Sequence, residues 1–336
     1  MRGGTGVARQ HRAAGYPEIE LNAVIAADRT FLSCEGSGDT MRSCVDAVIA
    51  GPRSFAASLI LVVLPALGLA QGAPRTPRAD SLREAVRLDV DGSTARAREI
   101  LSSLVASAPD ARARADAQRA TAMSYAFDGD CANATKQEDL VIAYWATREA
   151  AEPQNAFYQE GEMANEAARV CIDAGALDIA ERYYRLGTAL GVKEPDPRTH
   201  PASLWQYRLQ HALGRLAARR GDAAEAQRHV AEARRILDAD SAMAAAQERF
   251  FPYLVGYVAL YTNDLPTAES SFTTMLSLPQ NRNDPFMHGL LAMTWEKMGQ
   301  GGRASEEYRK AYDLATAHNP PSAFARPFVR RKLASP

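Results

Sequence analysis

Six turn-forming residues, Gly92, Gly129, Gly175, Gly221, Asn263 and Gly299, punctuate the chain at separations of 37, 46, 46, 42 and 36 residues, each between two stretches long enough to be a helix. This spacing constrains the fold more than any other feature, because it is the period of a helical hairpin repeated along the sequence. The intervening stretches carry the matching pattern. LREAVRL, LGRLAARR and TAESSFTTML place apolar residues three and four apart, and alternating β-branched runs are absent, so strands are not expected. Extra length between repeats falls in turns such as the Pro-rich GVKEPDPRTHP from Gly191 to Pro201.

Aligning the chain on the six turn residues brings out a second regularity. Seven positions before each lie Ala85, Ala122, Ala168, Gly214, Gly256 and Ala292, all small; five positions after lie Ala97, Ala134, Ala180, Ala226, Ala268 and Ala304. Nine positions after come Leu101, Glu138, Tyr184, Val230, Phe272 and Tyr308, with Glu138 the exception to a large apolar slot. Small residues let paired helices approach closely, and a large residue one turn further on fills the gap to the next hairpin. A hairpin alone cannot bury its apolar face, so such units are stable only when stacked.

With these motifs in place, the chain resembles the tetratricopeptide repeat family over roughly residues 80–318. The closest units are LGRLAARRGDAAEAQRHVAEA from Leu213 to Ala233 and LAMTWEKMGQGGRASEEYRKA from Leu291 to Ala311. Several units exceed the family's usual length, and only Pro109 clearly supplies its closing proline. The resemblance implies an all-α, right-handed superhelical solenoid of about six hairpins over residues 80–320. A C-terminal helix within 321–336 is expected to cap it, with Arg326, Arg330, Arg331 and Lys332 solvating the open end.

Upstream of the array, Phe55 to Ala70 (FAASLILVVLPALGLA) is a charge-poor apolar run that follows Arg42 and Arg53 and ends on small residues. It is short for a bilayer span and contains Pro65, so residues 41–70 read as a signal peptide cleaved after Ala70, with Met41 as initiator and 1–40 an extension. An uncleaved anchor or a core helix are the alternatives. No Cys follows, which gives no support to a lipid anchor. Residues 71–79 read as a linker. The implied location is periplasmic or secreted, with no stable membrane anchor expected after cleavage. Lys plus Arg number 39 against 40 Asp plus Glu, a balance that gives no reason to expect nucleic acid as a partner.

Cys131 and Cys171 follow the expected cleavage site, and an even count suits an oxidising compartment. Helices expected from about 131 to 150 and from 153 to 173 would run antiparallel around a turn near Glu152 and Pro153. Both cysteines lie about twenty positions from that turn, so they should be neighbours able to form a disulfide; two buried free thiols are the alternative.

The sequence holds no CxxC, HExxH, GxSxG or phosphate-loop motif, and His200, His211, His229, His288 and His318 show no ligand spacing, so neither cofactor nor metal is expected. Glu160, Glu162 and Glu166 form an acidic cluster, read as a solvated helix face rather than a catalytic pair. Arg220-Gly221-Asp222 and Asn133-Ala134-Thr135 fall in a turn and across a packing Ala. By the family resemblance, the first helix of each hairpin lines a concave groove. The residues assigned to it are Arg169, Arg208, His211, Arg215, Tyr253 and Tyr257, accompanied by Glu162, Asn165, Phe250, Phe286 and Met293. Arginines that clamp carboxylates beside aromatic anchors suit a protein or peptide partner. The expected function is therefore non-catalytic partner binding; an accessory or lytic cell-envelope enzyme and a structural homo-oligomer are the alternatives.

Overall fold

The computed structural model describes residues 76–334. The extension, the signal segment and most of the linker expected from the sequence lie outside them. Among the described residues the chain is all-α, with fourteen α-helices, one 3-10 turn and no strand. Twelve of the helices pair as hairpins: α1 (Pro77–Asp91) with α2 (Thr94–Ala106), α3 (Ala111–Phe127) with α4 (Cys131–Ala146), α5 (Pro153–Asp173) with α6 (Leu177–Gly191), α7 (Ala202–Arg219) with α8 (Ala223–Ala239), α10 (Phe251–Tyr261) with α11 (Leu265–Ser277), and α12 (Pro285–Lys297) with α13 (Gly301–Leu314). Between the fourth and fifth pairs stand a short α9 (Ser241–Gln247) and a 3-10 turn (Glu248–Phe250), and α14 (Pro320–Ala334) ends the chain.

The six turn residues read from the sequence are the residues that adopt a left-handed backbone, with φ between 65° at Asn263 and 88° at Gly92. At Gly92 this conformation lets its own N–H reach the Asp89 carbonyl at 3.0 Å and the Ser93 N–H reach the Leu88 carbonyl at 2.7 Å, closing the helix end. Asn263 does the same work without glycine, since its short side chain tolerates the region; the following Asp264 N–H bonds the Ala259 carbonyl at 2.8 Å. The next helix then starts on an acidic cap at three of the six turns, where the Asp130, Asp222 and Asp264 side chains accept from the N–H three residues on. At the start of the array, Thr76 accepts from Ala79 N–H at 3.2 Å and Pro77 takes the first helical position, so α1 begins inside the expected linker.

The small residues flanking each turn are buried where helices meet, Ala85, Ala97, Ala134, Ala168, Ala180, Ala226, Ala268 and Ala292 all at about zero exposure. Contacts run between successive helices and also between first helices of neighbouring hairpins, α1 with α3, α7 with α10 and α10 with α12. The α4–α5 joint is closed by the disulfide expected from the sequence: Cys131 and Cys171 have sulfurs 2.03 Å and Cα atoms 4.8 Å apart.

One element departs from expectation. The final helix does not stand at an open end with its cations in solvent. It packs against α12 and α13 and also against α1, α3 and α5, so the last hairpin and the first are joined through it. Arg326 and Arg330 both donate to the Val90 carbonyl, at 3.2 and 3.1 Å, Arg326 also reaches the Tyr312 carbonyl, and Lys332 pairs with Glu296 at 2.8 Å. His318, just before α14, meets the buried Asp89 carboxylate at 2.8 Å. Arg326 and Arg330 thus join α14 to α1, while Lys332 pairs within the C-terminal end and Arg331 is exposed as expected.

Candidate functional site

Helical spacing lays three stripes of polar and aromatic side chains along three neighbouring first helices. On α5 the stripe is Glu162, Glu166, Arg169 and Asp173; on α7 it is Arg208, His211, Arg215 and Arg219; on α10 it is Tyr253, Tyr257 and Tyr261. Residues three and four apart share a helix face, so each stripe faces its neighbour along its whole length. The contacts step along in register. Arg208 pairs with Glu162, Arg215 donates to the Tyr253 hydroxyl at 2.8 Å, and Arg219 donates to the Tyr257 hydroxyl at 3.2 Å and to the Ile172 carbonyl at 3.0 Å. Arg169 pairs with Asp173 at 3.0 Å and lies 3.9 Å over the Phe286 ring.

All six residues assigned to the groove are therefore brought together, but they do not form an open surface. Arg208, His211, Arg215, Tyr253 and Tyr257 are between 1% and 6% exposed, and the Arg169 side chain is 16% exposed. The expectation of an accessible arginine clamp is corrected on this point, and the physical reason is α14. Its Phe324 packs edge-on against Phe286 at 5.0 Å, and Pro320 and Pro321 form part of the wall over the arginines. Phe250 and Phe286 are core residues beneath the same cover, and Met293 packs partly buried against the C-terminal core.

Burial sets the electrostatics. Desolvation, reinforced by Arg215, holds His211 well below its ordinary pKa, so it is neutral and its Nε2–H donates to the Phe250 carbonyl at 3.3 Å. Burial raises the pKa of Tyr253 and Tyr257, which keeps both hydroxyls protonated at physiological pH. The acids named from the sequence are also not on a solvated face. Glu160, Glu162 and Glu166 are all buried; burial and the Glu149 carboxylate push Glu160 up to about 7, while Glu166 accepts from Arg119 at 2.7 and 3.3 Å. Behind Glu166 stands Glu138, 1% exposed, whose carboxyl is pushed well up by burial and by the charge of Glu166.

Two cavities open on this inward face. The smaller, about 90 Å³, lies among the arginine and tyrosine stripes and is closed by Pro320 and Pro321. The larger, about 350 Å³, lies between α1, α3, α5 and the start of α14. Leu82, Val86, Leu104, Ala117, Ala120 and Met123 make its apolar walls, and Arg119, Asp116 and Glu166 form a polar patch on them. Glu166 borders both cavities.

Arg119, Asp173, Tyr184, Arg219 and Tyr261 belong to the network and were not assigned to the groove from the sequence. Asp173, Arg219 and Tyr261 each lie four residues beyond a named residue, so extending each stripe by one turn finds them. Arg119 and Tyr184 sit on other helices and carry no comparable signal. Four of the histidines have acidic partners: His200 with Glu194 at 3.0 Å, His229 with Glu225 at 3.0 Å, His288 with Glu307, and His318 with Asp89. Among the described residues no group of three or more His, Cys, Asp and Glu is placed to hold a metal ion, and no helix is long and apolar enough to cross a membrane. No protein-family model matches the chain, and no curated protein matches it.

Proposed function

We propose that the protein is an exported scaffold of the tetratricopeptide type, a right-handed superhelical array of six hairpins that binds a protein or peptide partner and catalyses no reaction. The hairpin period, the left-handed turns and the small residues at helix contacts support the architecture. The apolar run from Phe55 to Ala70 and the Cys131–Cys171 bridge support export to the periplasm or beyond. In this reading the partner is held at the larger cavity rather than at the covered arginines. The observation that carries it is a concave, apolar-walled space of about 350 Å³ on the first-helix face, with a polar patch able to orient a bound chain.

Site-specific photo-cross-linking in cells tests this. A photoreactive residue at Leu82 or Ala120 is expected to give a discrete adduct, whereas one at Leu140, 47% exposed on α4 and away from the cavity, is expected to give none. Equal adducts at all three positions, or none at any, would remove the cavity from the binding surface.

A further inference from the structure

The smaller cavity is bordered by groups that partner binding at the larger one does not use. Arg215 is 6% exposed, yet its three hydrogen-bond partners are all neutral: the His211 carbonyl at 3.3 Å, the Tyr253 hydroxyl at 2.8 Å and the Tyr184 hydroxyl at 3.1 Å. A buried guanidinium is costly without an anion to balance it. The neighbouring cations do not share this position, because Arg169, Arg208 and Arg119 each have an acid of their own. The remaining acid of the lining, Asp284, accepts the N–H groups of Phe286 and Met287. Three arginines, Arg169, Arg208 and Arg215, and three acids, Glu162, Glu166 and Asp284, line the cavity, and Arg215 is the arginine among them whose hydrogen bonds go to no carboxylate.

The two tyrosines add directionality. Each phenolic oxygen accepts from Arg215, which leaves its own O–H to donate elsewhere, and both residues line the cavity. Two hydroxyls are thus held on one guanidinium, each able to donate to an oxygen of a carboxylate. Met275, Met287 and Pro321 supply apolar lining. Glu162, Glu166 and Asp284 also border the space and oppose a second negative charge.

We infer that this cavity binds a short-chain monocarboxylate, its oxygens accepting from the Tyr184 and Tyr253 hydroxyls beside Arg215 and its alkyl end lying on Met275, Met287 and Pro321. A volume of about 90 Å³ suits an acid of a few carbons. The site is independent of partner binding at the larger cavity.

Calorimetric titration of the whole protein with sodium propionate, against sodium sulfate at matched ionic strength, tests the assignment. Saturable propionate binding is expected, with a rise in Tm of roughly 3 to 6 °C at ten times the Kd. Sulfate is expected to have no such effect. Tyr184→Phe combined with Tyr253→Phe keeps both rings and removes both hydroxyls, and is expected to weaken propionate at least tenfold with an unchanged helical circular dichroism spectrum. An acetylated dipeptide with a free C-terminus, too long for the space, is expected to stay unbound. Absence of saturable binding, equal binding of sulfate, unaltered affinity in the double variant, or dipeptide binding as tight as propionate would each overturn the assignment.

Discussion

At the scale of single residues, the interior is unusual for the charge it contains, and Glu138 shows what that costs. It fills the slot that other hairpins give to Leu101, Tyr184, Phe272 or Tyr308, and neither of its oxygens has a hydrogen-bond partner. Its folded pKa lies well above the ordinary value of 4.5, so between those two values the folded chain keeps a proton that the unfolded chain releases. Stability therefore falls as pH rises through that window. Glu138→Gln supplies a permanently neutral amide that can donate to Glu166. It is expected to match the wild type near pH 4 and to exceed it by on the order of 2 kcal/mol above the window, as read from urea unfolding at several pH values. A wild-type advantage at neutral pH would show that Glu138 is ionised and stabilising. The sequence marks Glu138 as the exception in its alignment column. What it does not supply is the placement of Arg119 and Glu166 beside it, the one favouring its charged form and the other opposing it, because they come from two other helices.

Among the elements, the turns were the most legible part of the fold, and the reason is local. A left-handed residue is demanded at the end of each first helix, and glycine or asparagine is the side chain that meets the demand, so the signal is carried by one position. The disulfide was legible for a related reason, since an antiparallel pair of known turn position fixes which residues face each other. Replacing both cysteines, Cys131→Ala with Cys171→Ala, is expected to cost about 4 kcal/mol for a bridge across 40 residues, a fall in Tm of roughly 8 to 16 °C. Alkylation without reductant is expected to label neither cysteine, and two labelled thiols would withdraw the bridge and the penalty together. Close approach of α5 to α6 depends on glycine for steric reasons: a Cβ at Gly161 would lie 2.9 Å from the Gly187 carbonyl, and one at Gly187 would lie 2.8 Å from that of Gly161.

For the whole molecule, the inward face was readable as a list of residues and unreadable as a surface. Arg169, Arg208, His211, Arg215, Tyr253 and Tyr257 do converge, because helical spacing alone puts them there. Their burial follows from α14 returning to α1, α3 and α5, and a contact between residues more than 200 positions apart leaves no mark on local periodicity. The expectation that Arg326 and Arg330 face solvent failed for the same reason: what they bind is the carbonyl of Val90. Arg326→Ala with Arg330→Ala removes two cationic donors to that carbonyl and is expected to destabilise by roughly 3 kcal/mol. Small-angle scattering should then give a larger radius of gyration, and amides of α1 and α14 should exchange faster than those of α7. Unchanged scattering and exchange would mean that the other contacts of α14 with α1, α3 and α5 close the molecule unaided.

The Asp89–His318 and Val90–Arg330 contacts span 229 and 240 residues, so they must form last, long after each hairpin has closed its own short loop. A ribosome delivers α1 first and α14 at the very end, and throughout synthesis the buried Asp89 lacks its histidine and the rings beneath Phe324 lack their lid. A chain interrupted before residue 318 would keep nearly all of its hairpins yet expose its apolar and charged interior, which makes the 15 residues of α14 the signal by which quality control could tell a finished copy from an unfinished one.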